Sequence, residues 1–200
     1  MKITADKLDR DLAAQLRSTY LLCGDEPLLV SEAADRIRAA ARARGFTERE
    51  VFFVERATGA PWNDMLSAAQ SLSLFASQRI LEIRLPTGKP GTGAKTLQQL
   101  VAAAGPDLLL LVIAGELDRD AQAAAWVQDA DRAGAWVTAQ WPSAAAFPAW
   151  LRSRAAAAGL RLTDEGIDAL VARTEGNLLA AHQEIEKLAL AGIAEAGATE

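Results

Sequence analysis

One cysteine, one histidine and one tyrosine occur in 200 residues, and each scarcity closes off a kind of chemistry. The lone Cys23 makes no internal disulfide and supplies no zinc cluster. Its setting, Tyr20-Leu21-Leu22-Cys23, marks it as a small buried hydrophobe. His182 has no Cys or Ser motif near it, so no nucleophile and base pair can be drawn around it, and it reads as a packed or solvated helix residue. An excess of positive charge is also missing. Against 26 acidic residues stand 21 basic ones, a formal net charge of −5, the wrong sign for a protein whose affinity comes from neutralising phosphates. DNA contact is therefore expected to be weak or indirect. Long hydrophobic runs are absent: the longest, Leu108 to Ala114, falls far short of the roughly 20 residues that span a bilayer. Met1-Lys2-Ile3-Thr4 opens no signal peptide, so the expectation is a cytoplasmic chain with no membrane partner.

What is present is a 50% hydrophobic composition, enough to bury a real core. Short apolar runs alternate with helical patterns, the arrangement of a parallel sheet covered on both faces. Five strands are expected: Tyr20–Cys23, Val51–Glu55, Arg79–Leu85, Asp107–Ile113 and Ala135–Ala139. The fourth is apolar throughout and belongs mid-sheet. Between them, helices are expected from Pro27 to Gly45, Trp62 to Leu72, Thr96 to Ala104, and from an Asp118 N-cap to Asp131. Past Trp141-Pro142 the strand pattern stops. Ala146–Ala158, Asp164–Arg173 and Asn177–Leu190 carry helical spacing, so residues 1–141 and 142–200 are expected to be two domains, the second all-helical. Its last stretch, Ala191–Glu200, reads as a linker.

An alternating sheet with a small helical lid raises the possibility of a phosphate-binding NTPase, whose parts have required chemistry. The phosphate loop should follow the first strand, where backbone N–H groups at a helix N-terminus cradle phosphates and a Lys reaches the terminal ones. That position holds Gly24-Asp25-Glu26-Pro27-Leu28-Leu29, without Lys, Ser or Thr, with two like-charged carboxylates and with a proline that deletes a donor. The third strand should end in metal-binding acids and ends Leu85-Pro86-Thr87. The lid should offer an Arg at the start of its third helix, where Gly176-Asn177-Leu178-Leu179-Ala180-Ala181 has none. No catalytic, cofactor or metal residue is assigned. A second glycine-rich stretch, Gly88-Lys89-Pro90-Gly91-Thr92-Gly93-Ala94-Lys95-Thr96, imitates a phosphate loop, but Ala94 separates the glycine from the lysine and turns it about 100° round the helix. It reads as a flexible surface loop; the alternative is a P-loop-like nucleotide-binding enzyme that uses Gly88–Thr96.

The carboxylate pairs Asp164-Glu165 and Glu184/Glu186 sit at helix starts or on charged faces, where capping and solubility explain them. Trp126, Trp136, Trp141 and Trp150 lack the basic interleaving of a base-stacking platform and read as packing residues. One stretch fits less easily, Gln70-Ser71-Leu72-Ser73-Leu74-Phe75-Ala76-Ser77. Leu72, Leu74 and Phe75 do not continue the stripe of Trp62, Met65, Leu66 and Ala69, and the serines favour fraying. Spacing alone leaves two readings open, packing inward or projection at the tip of the domain.

Four blocks, in order, resemble the delta subunit of the bacterial DNA polymerase III clamp loader: Tyr20–Leu29, Ser73–Arg79, Asp107–Leu111 and Glu175–Ala180. The resemblance covers nearly the whole chain, and Gln70–Phe75 is also similar to the short peptides by which replication proteins bind the sliding clamp. Motor subunits of the loader carry an intact phosphate loop and share with the delta-prime subunit a zinc-binding cysteine set, which a single cysteine cannot form. The resemblance implies a RecA-like (AAA+-like) α/β domain of three layers with a parallel sheet, followed by a small helical lid. It also implies clamp binding through Gln70, Leu72, Leu74 and Phe75, with ring opening during DNA replication and no cofactor. In the full family a helical collar domain, expected to be absent from this chain, joins the other clamp-loader subunits, so a monomer is expected here.

Overall fold

A computed structural model describes residues 1–56, 58–71 and 78–197. The chain divides into two units, Met1–Gln140 and Trp141–Glu200.

In the first unit the elements run β1 (Lys2–Thr4), α1 (Leu8–Ala14), β2 (Thr19–Cys23), α2 (Pro27–Arg42), β3 (Glu48–Phe53), α3 (Trp62–Gln70), β4 (Arg79–Leu85), α4 (Ala94–Ala103), β5 (Leu108–Ala114), α5 (Arg119–Ala123), α6 (Ala125–Ala133) and β6 (Ala135–Thr138). The strands form one parallel sheet in the order β1-β6-β2-β5-β4-β3. All strand C-termini therefore emerge at one end of the sheet, the end where open α/β sheets place their ligands.

Side-chain alternation along the strands builds a core on each face. Tyr20, Leu22, Ile80, Leu109 and Leu111 meet Leu8 and Leu12 of α1 and Ala33, Ile37 and Ala41 of α2. Leu21, Leu81, Ile83, Leu110 and Val112 meet Met65 of α3, Leu97 and Leu100 of α4, and Trp126 and Val127 of α6. The apolar run of β5 is buried on both faces because it lies between β2 and β4, as its composition predicts. Cys23 is buried too, and its sulfur accepts from the Trp136 indole N–H at 2.9 Å.

Three expectations need correction. The sheet has six strands: Lys2–Thr4 adds itself beside β6, and a helix follows it at Leu8–Ala14. A strand of KIT has too few apolar residues to register in a pattern search, and its place is set by the partner, with Trp136 N–H donating to the Met1 carbonyl at 2.9 Å. The helix expected from Asp118 to Asp131 is two helices. Asp118 does cap the first, accepting from Ala121 N–H at 2.8 Å, but Ala124 is extended (φ −63°, ψ 142°) and restarts the helix so that Trp126, Val127 and Ala130 are buried.

The second unit holds α7 (Phe147–Ala157), α8 (Asp164–Thr174) and α9 (Leu178–Leu190), with Thr163 and Asn177 as N-caps of the last two. Phe147, Leu151, Ile167, Leu178 and Ile185 form its interior, and Trp141 and Trp150 stack on Phe147 at 6.1 and 5.9 Å. It is not all-helical, which is the third correction. Strand β7 (Arg161–Leu162) pairs in parallel with β8 (Glu195–Ala196), and Ala196 is 1% exposed, so the chain as far as Ala196 is part of the packed unit and not a linker. Among the described residues no helix is long and apolar enough to cross a membrane.

Candidate functional site

The strand C-termini of the first unit surround a cleft of about 330 Å³ lined by Gly24, Pro27, Arg38, Phe53, Arg84, Pro86 and Gly115, among others. A phosphate would need free amides at the start of α2. Instead Pro27 occupies the first helical turn, and the Glu26 carboxylate accepts from Leu28 N–H at 3.1 Å, filling with its own negative charge the place an anion would take. Gly24 serves backbone approach: a Cβ there would stand 1.7 Å from the Ala139 carbonyl, where β2 and β6 run out together. At the end of β4, Pro86 faces the cleft without a carboxylate. Among the described residues no cluster of three or more His, Cys, Asp or Glu could hold a metal ion.

Beneath the cleft lies a polar cluster that sequence reading missed. Glu82, in the middle of β4, is fully buried, and Arg38 of α2 donates to both of its oxygens at 2.9 Å. Arg84 donates at 2.8 Å, Arg49 of β3 adds a contact at 3.5 Å, and Arg38 also reaches Asp35 at 2.6 Å. Burial pushes the Glu82 carboxyl up, but the Arg38 and Arg84 hydrogen bonds outweigh it and hold the group below the usual carboxylate range. The available signal was a single acid inside the apolar run Arg79–Leu85, which has no low-energy place in a covered strand without a cation opposite.

The glycine-rich stretch Gly88–Thr96 is seated rather than free-standing. A Cβ on Gly93 would lie 2.1 Å from the Trp62 ring, Gly91–Gly93 makes a single 3-10 turn, and Lys89 pairs with Asp118 at 3.1 Å. Lys95 lies in the first turn of α4 and is not buried. His182 lies on α9 in contact with Glu186 at 3.3 Å, with its Nδ1 buried. Of the carboxylate pairs, Asp164 meets Arg152 at 2.6 Å and Glu184 meets Lys187 at 2.8 Å.

At the opposite end of the sheet is the junction of α3 and β4. The helix ends at Gln70, which is exposed, and Ser71 is extended. Leu72, Leu74 and Phe75 lie outside the described residues. Their flanks are fastened: Arg79, the first residue of β4, donates to the Ala69 carbonyl at 3.1 Å and to the Ser71 carbonyl, and Gln78 donates to the Pro106 carbonyl at 3.1 Å. A guanidinium on the last carbonyls of α3 satisfies orphan acceptors and complements the helix dipole.

The family model for DNA polymerase III, delta subunit, matches residues 20–140. The DNA polymerase III subunit delta of Escherichia coli is 36% identical over 193 residues, covering 95% of this chain and 55% of that protein. The Haemophilus influenzae protein of the same name is 31% identical over 192 residues, covering 94% and 55%. The chain thus spans about half the length of the curated relatives it matches. A DNA clamp loader delta protein from Bacillus subtilis superposes with TM-score 0.70 at 18% identity, over 97% of this chain and 60% of that one. The Thermotoga maritima RuvB Holliday junction branch migration motor superposes with TM-score 0.56 at 13% identity, over 96% and 65%. At these identities the two structures speak to fold, and the fold is RecA-like (AAA+-like), a parallel sheet with helices on both faces and a helical part after it.

Proposed function

The chain belongs to the DNA polymerase III delta-subunit family, and on that premise we propose that it binds and opens the ring-shaped beta sliding clamp without hydrolysing ATP. Family membership is the observation that carries the reading. The grip is assigned to Leu72, Leu74 and Phe75, with Gln70 at the start of the same peptide. Leu74 and Phe75 enter an apolar pocket on the clamp, and Leu72 presses beside them. Burying three such side chains contributes roughly 1.5–3 kcal/mol each. Association costs about 4–15 kcal/mol, so neighbouring polar contacts must add to them. Arg79 supports the reading as a positioning residue, because it ties together the chain on both sides of the segment at the end of α3.

Opening requires no chemistry in this chain. A protein that binds the open ring more tightly than the closed one shifts the equilibrium by that difference in affinity. The place where a phosphate-binding NTPase would hold its nucleotide has Glu26 capping its own helix and Pro86 in place of an acid, which supports a role without a nucleotide. The alternative enzyme reading, using Gly88–Thr96, is weakened by the packing of Gly93 against Trp62. Assembly with other clamp-loader subunits belongs, on this reading, to the part of the longer relatives that this chain does not span, and the chain alone is a monomer.

Gel filtration with the clamp from the same organism, together with ATP titration, tests the proposal. It expects co-elution with the clamp and no ATP affinity. ATP affinity that Lys95→Ala abolishes would support the enzyme reading, and neither binding event would leave an architectural adaptor.

A further inference from the structure

β3 is one of the two edge strands of the sheet, so one of its backbone edges faces away from β4. Protein edges of this kind are ordinarily short, charged or covered, because they are ready to pair with another strand. On β3 the side chains alternate. Glu48 and Glu50 belong to one face, with Phe52 packed on the α3-side core, while Arg49, Val51 and Phe53 share the other. Val51 is 40% exposed and Phe53 is 52% exposed, two of the few large apolar side chains left open. Phe53 also forms one wall of the strand-end cleft, beside Arg84.

On the Arg49 face positive groups outnumber negative ones, while Glu48 and Glu50 belong to the other face. Arg38, Arg49 and Arg84 gather on Glu82, and Arg38 takes Asp35 as well, so three guanidiniums face two carboxylates. Arg49 and Arg84 remain 43% and 42% exposed although Glu82 is sealed. In a chain of formal net charge −5 this strip is locally positive and partly apolar.

We propose that β3 takes an extended acidic segment of another protein as an added strand. The alternation fixes its pattern. Residues on the strip face of the incoming strand lie beside Arg49, Val51 and Phe53, so a carboxylate is favoured beside Arg49 and apolar side chains are favoured at the next two alternate positions. Main-chain pairing supplies affinity, and the three side chains supply register. This site shares no residue with Gln70–Phe75 and does not rest on the clamp-binding reading.

The test uses fluorescence anisotropy of the 200-residue chain with labelled short peptides that carry Glu, Val and Phe at alternate positions and Thr between them, in that order and reversed. One direction binds saturably, and Phe53→Asp or Val51→Lys weakens it by about tenfold or more. Both positions are exposed, and circular dichroism confirms that each variant is folded. Arg49→Glu weakens the same peptide, and replacing its Glu by Lys restores binding to that variant. No binding of either peptide up to millimolar concentration overturns the proposal. So does binding that ignores all three substitutions, or a strip that takes single-stranded oligonucleotide in an Arg49-dependent manner but no peptide.

Discussion

Glu82 shows how much one residue can fix in a sheet of this kind. A carboxylate sealed under α2 is stable only because Arg38 brackets both of its oxygens and Arg84 adds a third donor. Glu82→Gln leaves the buried Arg38 guanidinium with only the exposed Asp35 as counter-charge, and chemical denaturation should show a loss of about 3 kcal/mol. Arg49→Ala removes only a half-exposed partner and should cost under about 1 kcal/mol. The pH dependence follows from the lowered carboxyl. The pairing contributes in full above the ordinary carboxylate value and is lost as pH falls through the lower folded value, so stability should drop on acidification below about pH 4.5 and drop less steeply in Glu82→Gln. Cys23 is the residue-scale counterpart. Burial pushes its thiol up more than the Trp136 N–H brings it down, and a thiol reagent at neutral pH should label it only after denaturant is added.

Among elements, the joint between α3 and β4 matters most for the proposed grip. Arg79 holds carbonyls on the helix side of a segment whose other end is Arg79 itself. Arg79→Ala should therefore weaken clamp binding by about tenfold, with a smaller change in melting temperature than Glu82→Gln produces, and Arg79→Lys should restore part of it. A mutant that binds the clamp at full strength would remove Arg79 from the account. The same scale shows what could be read from sequence. The uniformly apolar Leu108–Ala114 and the helix caps Asp118, Thr163 and Asn177 depend on local chemistry, so pattern reading places a strand at the first and, for Asp118, a cap. Lys2–Thr4 and Glu195–Ala196 exist only through partners far along the chain, and no local periodicity marks them. Glu26 was visible as a charge opposed to phosphate, but its role as the cap of α2 needs the helix geometry. The Arg38–Glu82 pair joins a helix to a strand, and spacing within either element is silent about it.

Across the first unit, the parallel sheet separates two ends with different chemistry. The C-terminal end carries the cleft, where Glu26 caps α2 and Arg38 and Arg84 line the wall. The N-terminal end carries the α3–β4 joint and, in sequence between the two elements, the segment assigned to the clamp. On the proposed function, this division would let a ring be gripped at one end without nucleotide chemistry at the other. The most direct measurement is the dissociation constant of this chain for the sliding clamp from the same organism, compared among the unmutated chain, Leu74→Ala and Phe75→Ala. Each substitution should weaken binding by about thirtyfold or more, as expected for residues at the centre of an interface. Dissociation constants equal to that of the unmutated chain, in variants shown to be folded, would contradict the assignment of the grip.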